Sequence, residues 1–475
     1  MDQRKLEEFE SIFYPGSIAV VGASNDKLKF GTRYLQALID SRFEGPLYPV
    51  NPTENKILGL RSYPKLTSIP ADVDYVIVSI PARFILDLLD ECATKGVKTV
   101  QIFTAGFSET GEEEGRRLEK EMARKARENG FRIIGPNCIG VYSPACHMPY
   151  GPMHFPAEAG TVGFISHSGG VAGNLIDEGI RRGICFSKVV SFGNGCDLDN
   201  CDYLEYFALD PETKIIGAYL EGAKDSQRLF RLIKEISKTK PLIIWKGGKT
   251  PAGAQTAASH SASLAGSDII WKAALKQAGA IKVESHEELV DTILAFLHLP
   301  RFCGNRVAVI AGLYGAGGGA SVTSSDAFTS QGMEVPPFTD ETRAKLKTII
   351  PKAGSILRNP LDMGSVGGIT EILSNTIELV LDDPLIDILI IQVPVDFLVG
   401  LASKKIFQDT LEIIANFKKT KYKPIVLLSP HGSVIAERLE FERTLSHAGI
   451  PAYPTFERAA RAIANVDIYS RLHNP

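Results

Sequence analysis

Short apolar runs rich in branched side chains recur along the chain, separated by glycine-rich turns and amphipathic stretches. The first clear run is Ser17-Ile-Ala-Val-Val21. It ends in Gly22-Ala-Ser24, and its pattern predicts an amphipathic helix over about 32–41. Further runs lie at 47–50, 75–80, 99–103 and 132–134, each followed by a turn or a helical stretch. Continuous apolar strands that alternate with helices predict a parallel sheet covered on both faces. Residues 1–145 therefore read as one doubly wound nucleotide-binding domain.

A second unit, over 155–300, opens with an apolar run at 162–165, the turn Ser166-His-Ser-Gly-Gly170 and a helix to about Arg182. Its further strands are expected at 188–191, 215–219 and 242–245, and a helical stretch closes it. A third unit, over 303–470, follows the turn Phe302-Cys-Gly-Asn305. Its first strand, at 307–310, runs into the glycine-rich Gly312-Leu-Tyr-Gly-Ala-Gly-Gly-Gly319, and later strands are expected at 388–393 and 424–428. Units two and three open alike, with strand, small-residue loop and helix, which reads as two copies of one α/β fold.

Length agrees with several cores: 475 residues imply two to four domains at ~100–200 residues each. A net charge of −3 gives no sign of a nucleic-acid or membrane-surface binder. The first residues lack the apolar core of a signal peptide, and no apolar run approaches the ~18–20 residues of a membrane span. The seven cysteines form no CxxC pair, so free thiols in the cytoplasm and no metal site are expected.

In open α/β sheets, ligands bind beyond the carboxyl ends of the strands. That rule selects three segments. In Val20-Val-Gly-Ala-Ser-Asn25 the second position of a G-x-G-x-x-G fingerprint holds Ser24 and the third Lys27. No acidic residue follows at the usual distance, so the loop does not read as an NAD site. Its N–H groups, helix start and Lys29 still favour an anion, and CoA with its phosphates is such a ligand. Ser166-His-Ser-Gly-Gly170 joins a buried strand to a helix and reads as a second anion site, with His167 incidental and turned into packing or solvent. The third segment, 246–266, is read as a loop of small residues with His260 in its middle. A neutral imidazole is a good phosphoryl acceptor near pH 7. Glu221, directly after a strand, is the carboxylate best placed in sequence to orient it.

The chain resembles the α subunit of NDP-forming acyl-CoA synthetases, the superfamily of succinyl-CoA synthetase. The ordered motifs are the Val-Val-Gly-Ala-Ser start, Tyr48-Pro-Val-Asn-Pro52, Ile134-Gly-Pro-Asn-Cys138, Ser166-x-Ser-Gly169, Tyr219-Leu-Glu-Gly222, Ala257-Ala-Ser-His-Ser261 with Leu264-Ala-Gly266, and Asn359-Pro-Leu-Asp362. The resemblance implies a Rossmann-like CoA-binding domain followed by two flavodoxin-like domains. It maps the phosphohistidine onto His260 and its supporting glutamate onto Glu221. It implies phosphate or acyl contacts at Ser166, Ser168, Gly169, Gly170 and Ser259. CoA contacts are implied at Gly22, Ala23, Ser24, Lys29, Asn51, Pro52, Ile80 and Pro81. Phosphate and a carboxylic acid would be the other small substrates.

No Walker-type phosphate loop occurs in the sequence. The resemblance therefore implies that ATP or ADP, with Mg2+, binds a separate ATP-grasp β subunit, in a heterotetramer. Two positions depart from the family: His167 stands where it usually has Gln, and Ser261-Ala262 where it usually has Thr-Gly. Two other readings stay open on sequence, a CoA-binding regulatory paralogue without catalysis and a nicotinamide-dependent oxidoreductase.

Overall fold

The computed structural model describes residues 3–261, 267–301, 304–313, 317–351, 355–401, 404–430 and 432–473. Its first sheet is parallel, in the order Leu47–Val50, Ile18–Val21, Tyr75–Val78, Thr99–Ile102, Arg132–Ile134. Ile18–Val21, Tyr75–Val78 and Thr99–Ile102 are buried at every position, as strands covered by helices on both faces must be. A single parallel bridge, Val50 to Tyr63, adds a rudimentary strand outside Leu47–Val50. With it, the sheet takes the Rossmann order. The short hairpin of Lys56–Ile57 and Leu60–Arg61 stands where a crossover helix would otherwise lie.

The second sheet runs in the order Ile281–Val283, Leu242–Lys246, Ile215–Leu220, Val162–Ser166, Phe186–Ser191, Gly140–Tyr142. Only the last strand is antiparallel. The chain thus enters this sheet at Gly140, through an edge strand too short to stand out in the sequence. The third sheet is parallel, in the order Leu361–Asp362, Val307–Ala311, Ile388–Gln392, Ile425–Leu428, Ala452–Tyr453. The parallel strands of sheets two and three share the flavodoxin order, so the similar openings of the two units extend to their topology.

Residues 1–180 and 185–284 form one compact unit and hold the first two sheets. The N-terminal helix Gln3–Phe13 helps to join them. Phe9 and Phe13 stack on Tyr206 of the helix Asn200–Leu209, with ring centroids 5.1 and 4.8 Å apart. Arg132 Nε donates to Asp197 Oδ2 at 2.9 Å. Turns at the carboxyl edges also meet: the amides of Asn194 and Cys196 donate to the carbonyls of Pro136 and Gly135, at 3.1 and 2.9 Å.

Residues 181–184 and 285–475 form the other unit. There the helix His286–His298 packs on Phe456–His473. Buried Asp291 accepts from the guanidinium groups of Arg182, at 2.6 Å, and Arg458. Among the described residues no helix is long and apolar enough to cross a membrane.

Candidate active site

The first sheet reverses its strand order between Ile18–Val21 and Tyr75–Val78, where a doubly wound sheet opens a crevice. Gly22 leaves the first of these strands at φ +100°, and a Cβ there would sit 2.5 Å from the Ser79 carbonyl oxygen. Ile80 and Pro81 follow Ser79 at the same edge. A Cβ on Gly31 would meet Ser79 Oγ at 2.5 Å. Gly31 opens the helix Phe30–Asp40 and performs the close helix-to-strand packing that the fingerprint assigns to its third glycine. The fixed spacing of the fingerprint puts that position at Lys27; the loop is four residues longer.

The longer loop is held by its own side chains. Thr32 Oγ1 accepts the Ser24 N–H at 3.0 Å and donates to the Ser24 carbonyl at 2.9 Å. Asn51 Nδ2 donates to the Ala23 carbonyl at 2.8 Å, and Asn51 Oδ1 accepts the amides of Thr53 and Glu54. Ser24 is buried and its Oγ accepts the Asp26 N–H. Ser24 and Asn51 therefore shape the loop, while Lys29 and Pro52 lie exposed beside it. The crevice at the switch point brings together Gly22, Ala23, Ser24, Asn51, Pro52, Ile80 and Pro81. Thr32, Gly31 and Ser79 join them, although neither motif nor spacing marked them.

The second sheet reverses its order between Val162–Ser166 and Ile215–Leu220. Ser166 Oγ donates to the Ser168 carbonyl at 2.7 Å and accepts the Ser168 N–H at 3.0 Å, which locks the turn. Ser168 Oγ then accepts the Val171 N–H at the start of the helix Gly169–Arg181. Tyr150 braces the same helix end by donating to the Gly169 carbonyl at 2.9 Å. A Cβ on Gly170 would meet nothing within 4 Å, so this helix start is open on that side.

Glu221 leaves the neighbouring strand and is 4% exposed. Its carboxyl group faces the Tyr219 hydroxyl. Burial, and then the charge and hydrogen bond of Glu221, push that phenol far above its usual range. Lys246, at the end of the next strand, is fully buried. Burial lowers its ammonium pKa, while Glu221 and Asp268 oppose that shift. His167 is not incidental here. Its ring packs on Phe192 at 4.5 Å between centroids, and its Nδ1 accepts the Glu221 N–H at 3.3 Å.

The segment after Lys246 corrects the loop reading. Pro251–Ser261 is an α-helix, and Ser259 and His260 lie in its last turn. Thr250 caps it, since Thr250 Oγ1 accepts the Gly253 N–H at 3.1 Å. Pro251 suits the first helical position, and alanine is the best helix former. Small side chains here thus make a helix with little bulk, and not the loop that their size alone predicts. The helix lies beside the turn Ser108–Thr110, which follows Thr99–Ile102 of the first sheet. The side chains of Ser259, His260 and Ser261, and all of 262–266, lie outside the described residues.

Family comparison covers the residues of both sheets. Residues 16–144 match the family model of the CoA binding domain, and residues 159–296 that of the succinyl-CoA ligase like flavodoxin domain. The chain is 37% identical over 452 residues to the alpha subunit of acetate–CoA ligase [ADP-forming] II from Pyrococcus furiosus, across 95% of each. The chain belongs to the ADP-forming acyl-CoA ligase family, as an α subunit.

Within this family, the chain is 34% identical to acetate–CoA ligase [ADP-forming] I from Archaeoglobus fulgidus, covering 98% of this chain and 64% of that one. Its fold also matches that of the Ca. Korarchaeum cryptofilum dinucleotide forming acetyl-coenzyme A synthetase 1 in complex with phosphate and ADP. That match has a TM-score of 0.84 and 32% identity, over 98% and 97% of the two chains. Family membership bears out the resemblance carried by the ordered motifs, together with the fold class it implied. The match spans 95% or more of the α-subunit relatives and 64% of the Archaeoglobus ligase.

Proposed function

We propose that this chain is the catalytic α subunit of an ADP-forming acyl-CoA ligase, with His260 as its phosphoryl carrier. It interconverts acyl-CoA, ADP and phosphate with carboxylic acid, CoA and ATP. In the first step a phosphate oxygen attacks the thioester carbonyl. The C–S bond breaks and CoA leaves, giving acyl phosphate. An imidazole nitrogen of His260 then takes the phosphoryl group as the P–O bond to the acyl group breaks, releasing the carboxylate. ADP finally takes the phosphoryl group from His260 and becomes ATP. Covalent catalysis divides one difficult exchange into easier ones.

One juxtaposition carries the reading. The helix that bears His260 starts at the carboxyl edge of the second sheet, as do the Ser166–Gly170 turn and buried Glu221. It also lies beside the Ser108–Thr110 turn of the CoA-domain sheet. In this reading Ser166, Ser168, Gly169, Gly170 and Ser259 receive phosphate, where N–H groups and the helix dipole favour an anion. Glu221 orients His260 and balances positive charge on its ring. The Gly22–Ser24 loop with Lys29, Asn51, Pro52, Ile80 and Pro81 receives CoA. Residues 1–145, 155–300 and 303–470 serve as the CoA-binding and the two ligase domains.

The nucleotide and Mg2+ bind a separate ATP-grasp β subunit, in a heterotetramer. What supports this is the naming of the two Pyrococcus furiosus relatives as alpha subunits, which implies a partner subunit. The six free cysteines among the described residues fit a reducing cytoplasm. The family match and an intact His260 and Glu221 favour catalysis over the regulatory reading. The test combines the chain, its β subunit and γ-labelled ATP. Acid-labile, base-stable label is expected on this chain and absent from His260→Ala. Label that persists in His260→Ala overturns the assignment.

A further inference from the structure

At the switch point of the second sheet, strands Val162–Ser166 and Ile215–Leu220 separate just past their last paired residues. Ser166 pairs with Tyr219, and the His167 N–H still donates to the Tyr219 carbonyl at 3.2 Å. In a continuing parallel ladder the next bond would run from the Glu221 N–H to the His167 carbonyl. Here that N–H donates instead to Nδ1 of the His167 ring, at 3.3 Å. The side chain stands in for its own backbone acceptor where the strands part to open the crevice. His167 is 7% exposed and its ring rests on Phe192, so the acceptor is held in place. An Nδ1 that accepts leaves the proton of the neutral ring on Nε2.

We infer that His167 is a positioning residue for Glu221: its Nδ1 anchors the Glu221 amide and so fixes the backbone from which the carboxylate is presented at the sheet edge. The inference rests on the phosphoryl-transfer role proposed for Glu221. Tyr219 and Lys246 hold the carboxyl end of that residue, through a hydroxyl and a buried charge. His167 holds its main-chain end. A glutamine here would also carry an acceptor, its side-chain carbonyl, so the anchor needs an acceptor atom and not an imidazole as such. An aliphatic side chain of similar size has none, and it would leave the buried Glu221 N–H without this partner.

The test uses the full chain with its β subunit and compares His167→Leu with His167→Asn, whose carbonyl oxygen falls at the Nδ1 position. His167→Leu is expected to lower kcat by roughly 10- to 100-fold with KM for CoA unchanged, as for a small misplacement of a catalytic group. His167→Asn is expected to restore most of that loss. Wild-type kcat in His167→Leu overturns the inference, as does an Asn variant as impaired as the Leu variant. A second measurement needs neither variant nor activity. In wild-type chain with 15N-labelled histidine, the His167 resonances are expected to show a protonated Nε2 and a bare Nδ1. A proton on Nδ1 overturns the anchor even if His260 carries phosphate. A bare Nδ1 in a chain whose label persists in His260→Ala sustains the anchor and defeats only the carrier assignment.

Discussion

Gly22 and Ser79 approach so closely that no side chain fits between them. A Cβ on Gly22 would lie 2.5 Å from the Ser79 carbonyl oxygen, and the backbone at Gly22 has φ +100°. Gly22→Ala therefore meets both a steric and a conformational penalty, of about 1–3 kcal/mol. The two strands whose ends form the crevice would be forced apart at the proposed CoA loop. The expected outcome is weaker CoA binding by calorimetry, by tenfold or so per ~1.4 kcal/mol transmitted to the loop. Gly59→Ala is the control, since Gly59 also has positive φ but a Cβ there meets nothing within 4 Å. Equal CoA affinity in Gly22→Ala and wild type would count against this crevice as the CoA site.

Glu221 is buried, its carboxyl group meets the Tyr219 hydroxyl, and its charge favours the ammonium form of Lys246. Glu221→Gln preserves its shape and removes its charge. If the carboxylate orients His260 and balances its ring, kcat should fall by roughly 10²-fold while KM for CoA stays as in wild type. The rate of labelling from γ-labelled ATP should fall in parallel. A raised KM with unchanged kcat would place Glu221 in substrate binding alone.

Much of this arrangement was legible in the sequence. The strands Leu47–Val50 and Arg132–Ile134 stand at the bounds read from their apolar runs, and Ile18–Val21, Tyr75–Val78 and Thr99–Ile102 lie within theirs, because fully buried parallel strands such as these three are continuous apolar segments. Loops at the carboxyl ends of those strands followed from topology alone. What stayed hidden depends on contacts distant in sequence. Gly140–Tyr142 is a strand only because Phe186–Ser191 offers it an edge. Gly31 matters through Ser79, and no fingerprint with fixed spacing reaches it. His167 looked incidental since its role lies in one bond to Glu221, 54 residues away. The helix Pro251–Ser261 is hidden for a different reason: small residues suit close approach and helix alike, and Thr250 with Pro251 is the local signal that decides.

Lys188 lies fully buried in the strand Phe186–Ser191. Its Nζ donates to Asp210 Oδ2 at 2.9 Å and to Glu212 Oε2 at 2.6 Å, beneath the ring of Tyr14 at 5.1 Å. Asp210 is buried as well, so removing the cation strands a carboxylate away from water. Lys188→Met should cost about 3–5 kcal/mol in chemical denaturation. Adding Asp210→Asn should recover part of that loss, since the stranded charge is gone. A double variant no more stable than Lys188→Met would show that the cost lies in lost packing.

His298 couples the other unit to pH. Its Nε2 meets Ser446 Oγ at 2.9 Å, and burial, then the charges of Lys418 and His447, push its pKa down to about 4. In the unfolded chain the ring titrates near its ordinary value of about 6.5. Between these values the unfolded chain holds a proton that the folded one lacks, so acid favours unfolding. The stabilisation is complete above pH ~6.5 and is lost progressively as the pH falls towards 4, at up to ~1.4 kcal/mol per pH unit. His298→Gln keeps a polar partner for Ser446 and does not titrate. The thermal transition of residues 285–475 should therefore move to lower temperature on acidification in wild type, and less steeply in His298→Gln. Parallel acid slopes in the two proteins would show that other groups set the pH dependence.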